Sequence, residues 1–508
     1  MLLLILLFLN ISKLTFCEKF YIYTNDKWDK IATASHHKRD TREILNMSLN
    51  HGAGEIISKE MGIYHTDQYH MYDLVYYRLL KDSRRTLDPD EATSFFVPYD
   101  LSLDCAFYKN CARSKGVCFD FRKCPLAPKV EKLLKDSKYF KRNNGKDHFA
   151  IVGMNYAMDH FLNKPLCKSF LLNTCTNCTK WAIDDYSFLF AITNGISDGV
   201  QYKGDNWAAA PFPSDFHFSS YVKPPFPWEI NMNNNKRNIL VAYIGTKNSY
   251  WGPARRLRGS LVHYCDLQKN HKHCVHVGYG ANGTRSSMRV EGHKPHEVAQ
   301  RAIFCFQPFG DLLTRKGLFD NLLMGCIPVV FHSLTATSMY VWHWSEQLWN
   351  DVVVFLPAKP ISFRYSDPIE QLRQLAENKS FIEEKQKLIK KHVFKLQWSL
   401  ESYNDYVSNI NKVANNDNDN DNNGDEGSNS KRVSVSSGIS HWPLDENNNP
   451  LPDAFETIIT TTLGWHSGRL SRKWPAHLPA EPNPCWTGRP NKDYTQCEHE
   501  QKKKEGKE

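Results

Sequence analysis

Long apolar runs are scarce in this chain. Beyond the eight apolar residues Leu2 to Leu9, no stretch approaches the length that carries a helix across a bilayer, which excludes a polytopic membrane protein. The 14 cysteines show no standard zinc spacing, and no His pair completes one, which sets aside the usual zinc modules. The formal charge of +9 is spread along the chain, apart from the terminal KKKEGKE. Without a basic patch joined to a reader motif, a nucleic-acid partner is excluded.

What is present points to a well-packed protein of two or three domains. A chain of 508 residues is too long for one ordinary core, and 41% apolar content with 13% aromatics is globular. Leu2 to Leu9 has the length of a signal-peptide core, with small Thr15 placed for a cut after Cys17. A basic n-region is missing, so an uncleaved anchor is the alternative. Beyond the leader, four sequons, at Asn46, Asn177, Asn282 and Asn378, and the many cysteines agree with an oxidising compartment. The groups Cys105, Cys111, Cys118, Cys124 and Cys167, Cys175, Cys178 read as disulfide staples of long loops. Cys305 and Cys326 flank one unit on neighbouring strands and either pair or simply pack.

That unit, Ile303 to Phe331, is the most informative part of the sequence. An apolar strand runs into a Pro-Gly turn, then a loop with Thr314, Arg315 and Lys316, a helical stretch stopped by Gly325, and a β-branched strand. In open α/β sheets, ligands bind at the carboxyl end of such a first strand. Two adjacent cations beside free backbone N–H groups suit a diphosphate. Asp320, four residues after Lys316, shares its helix face and is suited to a ribose hydroxyl.

The same stretch, QPFGDLLTRKGLFDNLLMGCIPVVF, resembles the donor-binding signature of the exostosin-like glycosyltransferases: a P-x-G-D turn, an Arg, an F-D pair and G-C-I-P-V, in that order. The branch with plant xyloglucan galactosyltransferases is the nearest in appearance. Other blocks agree. TLDPDEATSFFVP at Thr86 to Pro98 is similar to the family's T-x-D-P-x-x-A-x-x-F-F-V-P, and Gly145 to Phe149 to its G-R-D-H-F, with Lys146 in place of the Arg. PFPSDFHF at Pro211 to Phe218 resembles the segment closing the family's first domain. Spacing alone supports two α/β domains. The resemblance implies two Rossmann-like domains facing a cleft, the GT-B type. On this reading residues 1–17 are the leader, 18–235 an acceptor domain and 236–413 a nucleotide-sugar-binding domain. A disordered Asn/Asp-rich insert spans 414–440, a closing helix of the second domain 441–466, and a tail 467–508. Lys19 to Tyr23 reads as a strand followed by a polar loop, and Tyr221 to Lys236 as an interdomain linker.

The resemblance implies an inverting transferase of the secretory pathway, Golgi lumen foremost, that moves a sugar from a nucleotide-sugar, a UDP-sugar foremost, to a glycan hydroxyl. The diphosphate grip falls on Arg315 and Lys316, with Gly310 and Asp311 of the P-x-G-D turn. Arg255 and Arg256 follow the Gly245-Thr246 turn and are candidates for the same cleft. They read equally well as solvated helix charges, and Asp320 as a mere partner of Lys316. Cations and helix N–H groups would stabilise the leaving group, so no metal or other cofactor is required. Asp-x-Asp is spelled at Asp88-Pro-Asp90 and near Asp417, but the first belongs to a family block and the second to low complexity. The general base is expected from the first domain: Asp147 and His148, then Asp215 and His217, with a structural role as the alternative. A reading of a different class is a catalytically silent partner or scaffold of another glycosyltransferase, since family members work in pairs. A homo- or hetero-oligomer is accordingly a possible assembly. The intact Gly310, Asp311, Arg315, Asp320 set favours the enzyme.

Overall fold

The computed structural model describes residues 18–37, 49–68, 70–100, 126–153, 189–193, 207–230, 237–249, 252–267, 273–278, 295–310, 313, 315–332, 335–336, 340–406 and 442–470. The leader, Asn46, Asn177, Asn282, Asp311, the cysteine groups at 105–124 and 167–178, the insert 414–440 and the tail beyond 470 lie outside these residues.

The first half runs β1 (Phe20–Ile22), α1 (Asp26–His37), β2 (Glu55–Ser58), β3 (Ile63–His65), α2 (Met71–Lys81), β4 (Arg85–Thr86), β5 (Ser94–Phe96), α3 (Ala127–Asp136), α4 (Lys138–Arg142), β6 (His148–Val152), β7 (Leu189–Thr193) and β8 (Trp207–Ala209). Strands β2 and β3 form an antiparallel hairpin, and the other six make one parallel sheet in the order β4-β1-β5-β6-β7-β8.

The second half runs β9 (Ile239–Ile244), α5 (Gly252–Leu267), β10 (Cys274–Val277), α6 (Pro295–Arg301), β11 (Ala302–Gln307), α7 (Lys316–Leu322), β12 (Ile327–Val330), α8 (Glu346–Val352), β13 (Val354–Phe355), α9 (Ala358–Ser362), α10 (Pro368–Glu377), α11 (Lys379–His392) and α12 (Ala454–His466). Its parallel sheet is ordered β10-β9-β11-β12-β13. Strands covered on both faces read as unbroken apolar runs, and ILVAYI in β9 and IPVV in β12 are buried almost throughout. Gly325 ends the α7 turn at φ 72°, a left-handed position that glycine occupies without strain. The chain is thus α/β, with two all-parallel sheets.

Three stretches differ from their sequence reading. The polar loop expected after β1 is helix α1. Asn25 Oδ1 accepts the N–H groups of Lys27 and Trp28, and Trp28 stacks on Tyr23 at 5.0 Å, so one buried indole outweighs a polar composition. The expected linker at 221–230 is packed: Phe226 and Trp228 stack at 5.0 Å, both buried in the core of the second sheet. The helix expected to close the second domain, α12, instead buries Phe455, Ile458, Ile459 and Leu463 with Phe20, Ile22, Tyr72 and Val75 of the first sheet's core. Asp453 caps its first turn and takes a 2.8 Å ion pair from Arg78 of α2, with both side chains buried. An ion pair with so little water around it locks the helix in place, because removing one partner strands the other charge.

Several histidines serve this packing. His217 is fully buried, with Nδ1–H donating to Trp398 O at 2.7 Å and Nε2 2.8 Å from Thr66 Oγ1. Burial pushes His217, His332 and His343 each down to about 4. Below the ordinary histidine value the unfolded chain takes up protons that the folded chain refuses, so stability is full at neutral pH and falls as pH drops toward 4. Each histidine is expected to cost about 1–2 kcal/mol between about pH 7 and pH 5, read by denaturant unfolding. A stability flat across that range would mean that the imidazoles titrate normally.

Candidate functional site

The carboxyl edge of the second sheet gathers groups from three strands. Strand β9 runs into Gly245, where an added Cβ would crowd the Tyr243 ring at 3.2 Å and touch Arg315 Nη2 at 3.5 Å. Tyr243 donates from its hydroxyl to Thr246 O at 2.7 Å and stacks on His276 of β10, whose Nε2–H donates to Gly245 O at 3.0 Å. Strand β11 ends in Gln307 and enters the Pro308-Phe309-Gly310 turn. Arg315 Nη1 donates to Pro308 O at 2.7 Å, and the buried Arg258 ties Phe309 O at 3.1 Å to Asn248 O at 3.0 Å. Cys305 and Cys326 are bonded, closing a 21-residue loop around α7 and the arginine turn, a constraint that contributes roughly 3 kcal/mol. A second disulfide, Cys265 to Cys274, which the spacing did not single out, ties the end of α5 to β10.

Arg315 and Lys316 sit in different electrostatic settings. Lys316 Nζ lies 2.5 Å from Asp215 Oδ1 and 2.7 and 2.9 Å from the two Asp320 oxygens. Burial alone would lower its pKa, but the two carboxylates outweigh burial and hold the ammonium above its ordinary value. Asp215 N–H in turn donates to Asp320 Oδ1 at 2.9 Å. One cation between two carboxylates offers an incoming anion no net positive charge. Arg315 contacts a backbone carbonyl and the Tyr243 hydroxyl, so its positive charge remains available to an anion. Gln307, buried at the strand end, has an Nε2–H with no acceptor among the described residues. It marks a donor facing the same loop.

Asp147 and His148 are together, but at the amino end of β6. His148 Nδ1–H donates to Asp147 Oδ1 at 2.7 Å, and its Nε2 takes the Tyr23 hydroxyl at 2.8 Å, which in turn meets Ser137 Oγ at 2.9 Å. Phe95 stacks on the ring and Phe140 meets it edge-on, each at 4.9 Å. Burial lowers the His148 pKa despite Asp147 beside it. Both ring nitrogens are occupied and the side chain has no exposure, so the pair braces β1, α4 and β6 against one another. His217 is likewise enclosed. Asp215 is different: its segment leaves the carboxyl end of β8, and its carboxylate stays one-fifth exposed beside α7. Asp100, buried just past the carboxyl end of β5, is a further carboxylate that the sequence reading passed over. Its only signal was its place directly after the V-P-Y strand end.

The side chains of Arg255 and Arg256 line a groove along α5 with Lys247 and Arg364, while the inward arginine of that turn is Arg258. Asp88 folds into a local turn that receives Asp90 N–H at 2.9 Å, and no group of three His, Cys, Asp or Glu among the described residues is arranged to hold a metal ion. No described helix is long and apolar enough to cross a membrane. Asn378 is exposed at the start of α11, where its Oδ1 caps Phe381 N–H at 3.1 Å, leaving the Nδ2 side of its amide for a glycan.

Comparison with known proteins agrees with these motifs. The chain is 25% identical over 341 residues to a probable xyloglucan galactosyltransferase of Arabidopsis thaliana, which covers 66% of this chain and 64% of that protein. It is 26% identical over 333 residues to a xyloglucan-specific galacturonosyltransferase of the same plant (65% and 46% covered), and 27% over 305 residues to a xyloglucan galactosyltransferase (59% and 50%). The chain thus spans about half to two thirds of the length of these curated relatives. Residues 16–368 match the exostosin GT47 domain, and the chain belongs to that family.

Proposed function

We propose that the chain is an inverting glycosyltransferase that moves a sugar from a nucleotide-sugar, foremost a UDP-sugar, to a hydroxyl of a glycan acceptor, its two sheets facing a cleft in the GT-B manner. Family membership and the activities named for the relatives support transfer of a sugar. The observation that carries the donor assignment is Arg315. It stands at the carboxyl edge of the second sheet, held by Pro308 O and pressed close to the bare backbone of Gly245. A guanidinium fork there matches the paired oxygens of a diphosphate. Gly310 lies in the turn that receives it, and Asp311 follows directly in sequence, outside the described residues. Lys316 and Asp320 form one unit with Asp215, so the ribose role of Asp320 would require the donor to open that unit. Arg255 and Arg256 are left to a different ligand, taken up below.

The acceptor hydroxyl must lose a proton as its oxygen attacks the anomeric carbon and the nucleoside diphosphate departs. Among the expected bases, Asp215 has both partial exposure and a position beside the donor helix, and we assign it that role. Asp147, His148 and His217 support it from within the core. The negative charge arising on the leaving diphosphate is met by Arg315, so the reaction is expected to run without a divalent metal. Two disulfides and the exposed sequon at Asn378 support an oxidising lumenal compartment, Golgi foremost.

Arg315→Ala is expected to abolish binding of UDP and UDP-sugars while leaving the unfolding midpoint unchanged; wild-type affinity, measured by calorimetry, would remove the donor assignment. Asp215→Asn should lower kcat by about two to four orders of magnitude with donor KM nearly unchanged, and a normal kcat would place the base elsewhere. Activity should persist in excess chelator. Complete loss, restored by added Mn²⁺ or Mg²⁺, would refute the metal-free reading.

A further inference from the structure

Along α5 runs an open groove of ≈ 540 Å³. Lys247, Arg255, Arg256, His263 and Arg364 line it, and Asp266 is the one acidic residue among its lining. From Arg255 to Asp266 the helix rises about 16 Å, so the groove is an elongated track and its cations are strung along it. Convergent donors suit a single diphosphate; distributed ones suit a chain with repeated charges.

Phe363 is part of the groove lining, and Tyr365 lies beside it. Arg256 lies 4.6 Å over the Phe363 ring, and Tyr365, 81% exposed, lies parallel to Phe363 at 6.0 Å and 15°. Flat, exposed rings beside guanidinium groups fit the apolar faces and anionic substituents of a sugar chain together.

Arg364 gives the independent sign of selection. Helix α9 ends with Tyr365 N–H donating to Pro360 O at 2.8 Å and Arg364 N–H to Ile361 O at 3.0 Å. That pattern places Arg364 in the left-handed region at φ 62°, where glycine is the favoured residue and a long side chain is strained. The fold alone would be better served by glycine, yet an arginine stands here, among the residues that line the groove.

We propose that this groove binds an acidic glycan, a chain carrying carboxylate or sulfate groups, as a subsite that holds the substrate or product while its end reacts. The inference rests on the glycosyltransferase reading for the purpose of the site but not for the binding itself. Lys247 leads the track toward the Gly245 turn, where the donor is placed. A bound chain would therefore extend toward the reaction from the α5 side.

The test uses the purified chain and Arg364→Gly, titrated calorimetrically with oligogalacturonate, a sulfated glucan oligomer, a neutral glucan oligomer of equal length, and UDP. Wild type should bind at least one anionic oligomer and not the neutral one. Uronate-only or sulfate-only binding would each support the site and name its source of charge. Arg364→Gly should raise the unfolding midpoint, weaken the anionic oligomer by about tenfold or more, and leave UDP untouched. Arg315→Ala should leave oligomer binding intact even if the donor reading fails. Binding of the neutral oligomer with equal strength, absence of any anionic binding, or unchanged affinity in Arg364→Gly would overturn the proposal. An equal loss of UDP affinity in Arg364→Gly would do so too, by returning the groove to the donor site.

Discussion

The ammonium of Lys316, held between the carboxylates of Asp215 and Asp320, is the contact on which the arrangement of the site depends. Asp215 belongs to the strap that leaves the last strand of the first sheet, and Lys316 opens the helix that follows the Pro308-Phe309-Gly310 turn of the second. The strap is pinned from both sides: Tyr64 N–H donates to Asp215 O at 2.7 Å, and Phe212 packs against Phe319. A charge shared between two half-buried carboxylates fixes distance and direction together, which apolar packing alone does not. Lys316 is thus occupied in joining the two halves, while Arg315 beside it has no carboxylate partner among the described residues.

A second group of polar contacts joins the halves from behind. Arg78 with Asp453, and Arg84 with Glu456 at 2.8 Å, bring the last described helix back onto the first sheet. His217 reaches Trp398 O, while Trp398 Nε1–H returns to Pro211 O at 3.1 Å. Each of these groups is satisfied by a partner distant in the chain. The parallel sheets are therefore linked by directional bonds, and the carboxyl edges keep a fixed relation near the strap.

Much of the site was legible because its chemistry is local in sequence. The strand, turn, Arg315, Asp320 and Gly325 lie within one unit, and a short unit with strong strand and stop signals folds much as its residues dictate. The pairing of Cys305 with Cys326 was left open between bonding and packing; the register of β11 against β12 brings the two together. Helix α1 was missed because Trp28 finds its partner in Tyr23, on the strand before it, and a polar composition hides one such contact. The placement of α12 was missed because the residues that receive it, Phe20 and Tyr72 among them, stand hundreds of positions away.

The sequence by itself determined the family, the α/β class and the strand-turn-helix unit that carries Arg315, since these reside in contiguous motifs whose backbone preferences are local. Tertiary structure alone decided which candidate residues are free to meet a ligand. Asp147, His148 and His217 look like bases in one dimension; the fold buries all three and gives both ring nitrogens of each histidine a partner. The rotation of α5 sets Arg255 and Arg256 in the groove lining and turns Arg258 inward. Burial, partner and facing are properties of distant segments brought together, and no local pattern of residues encodes them.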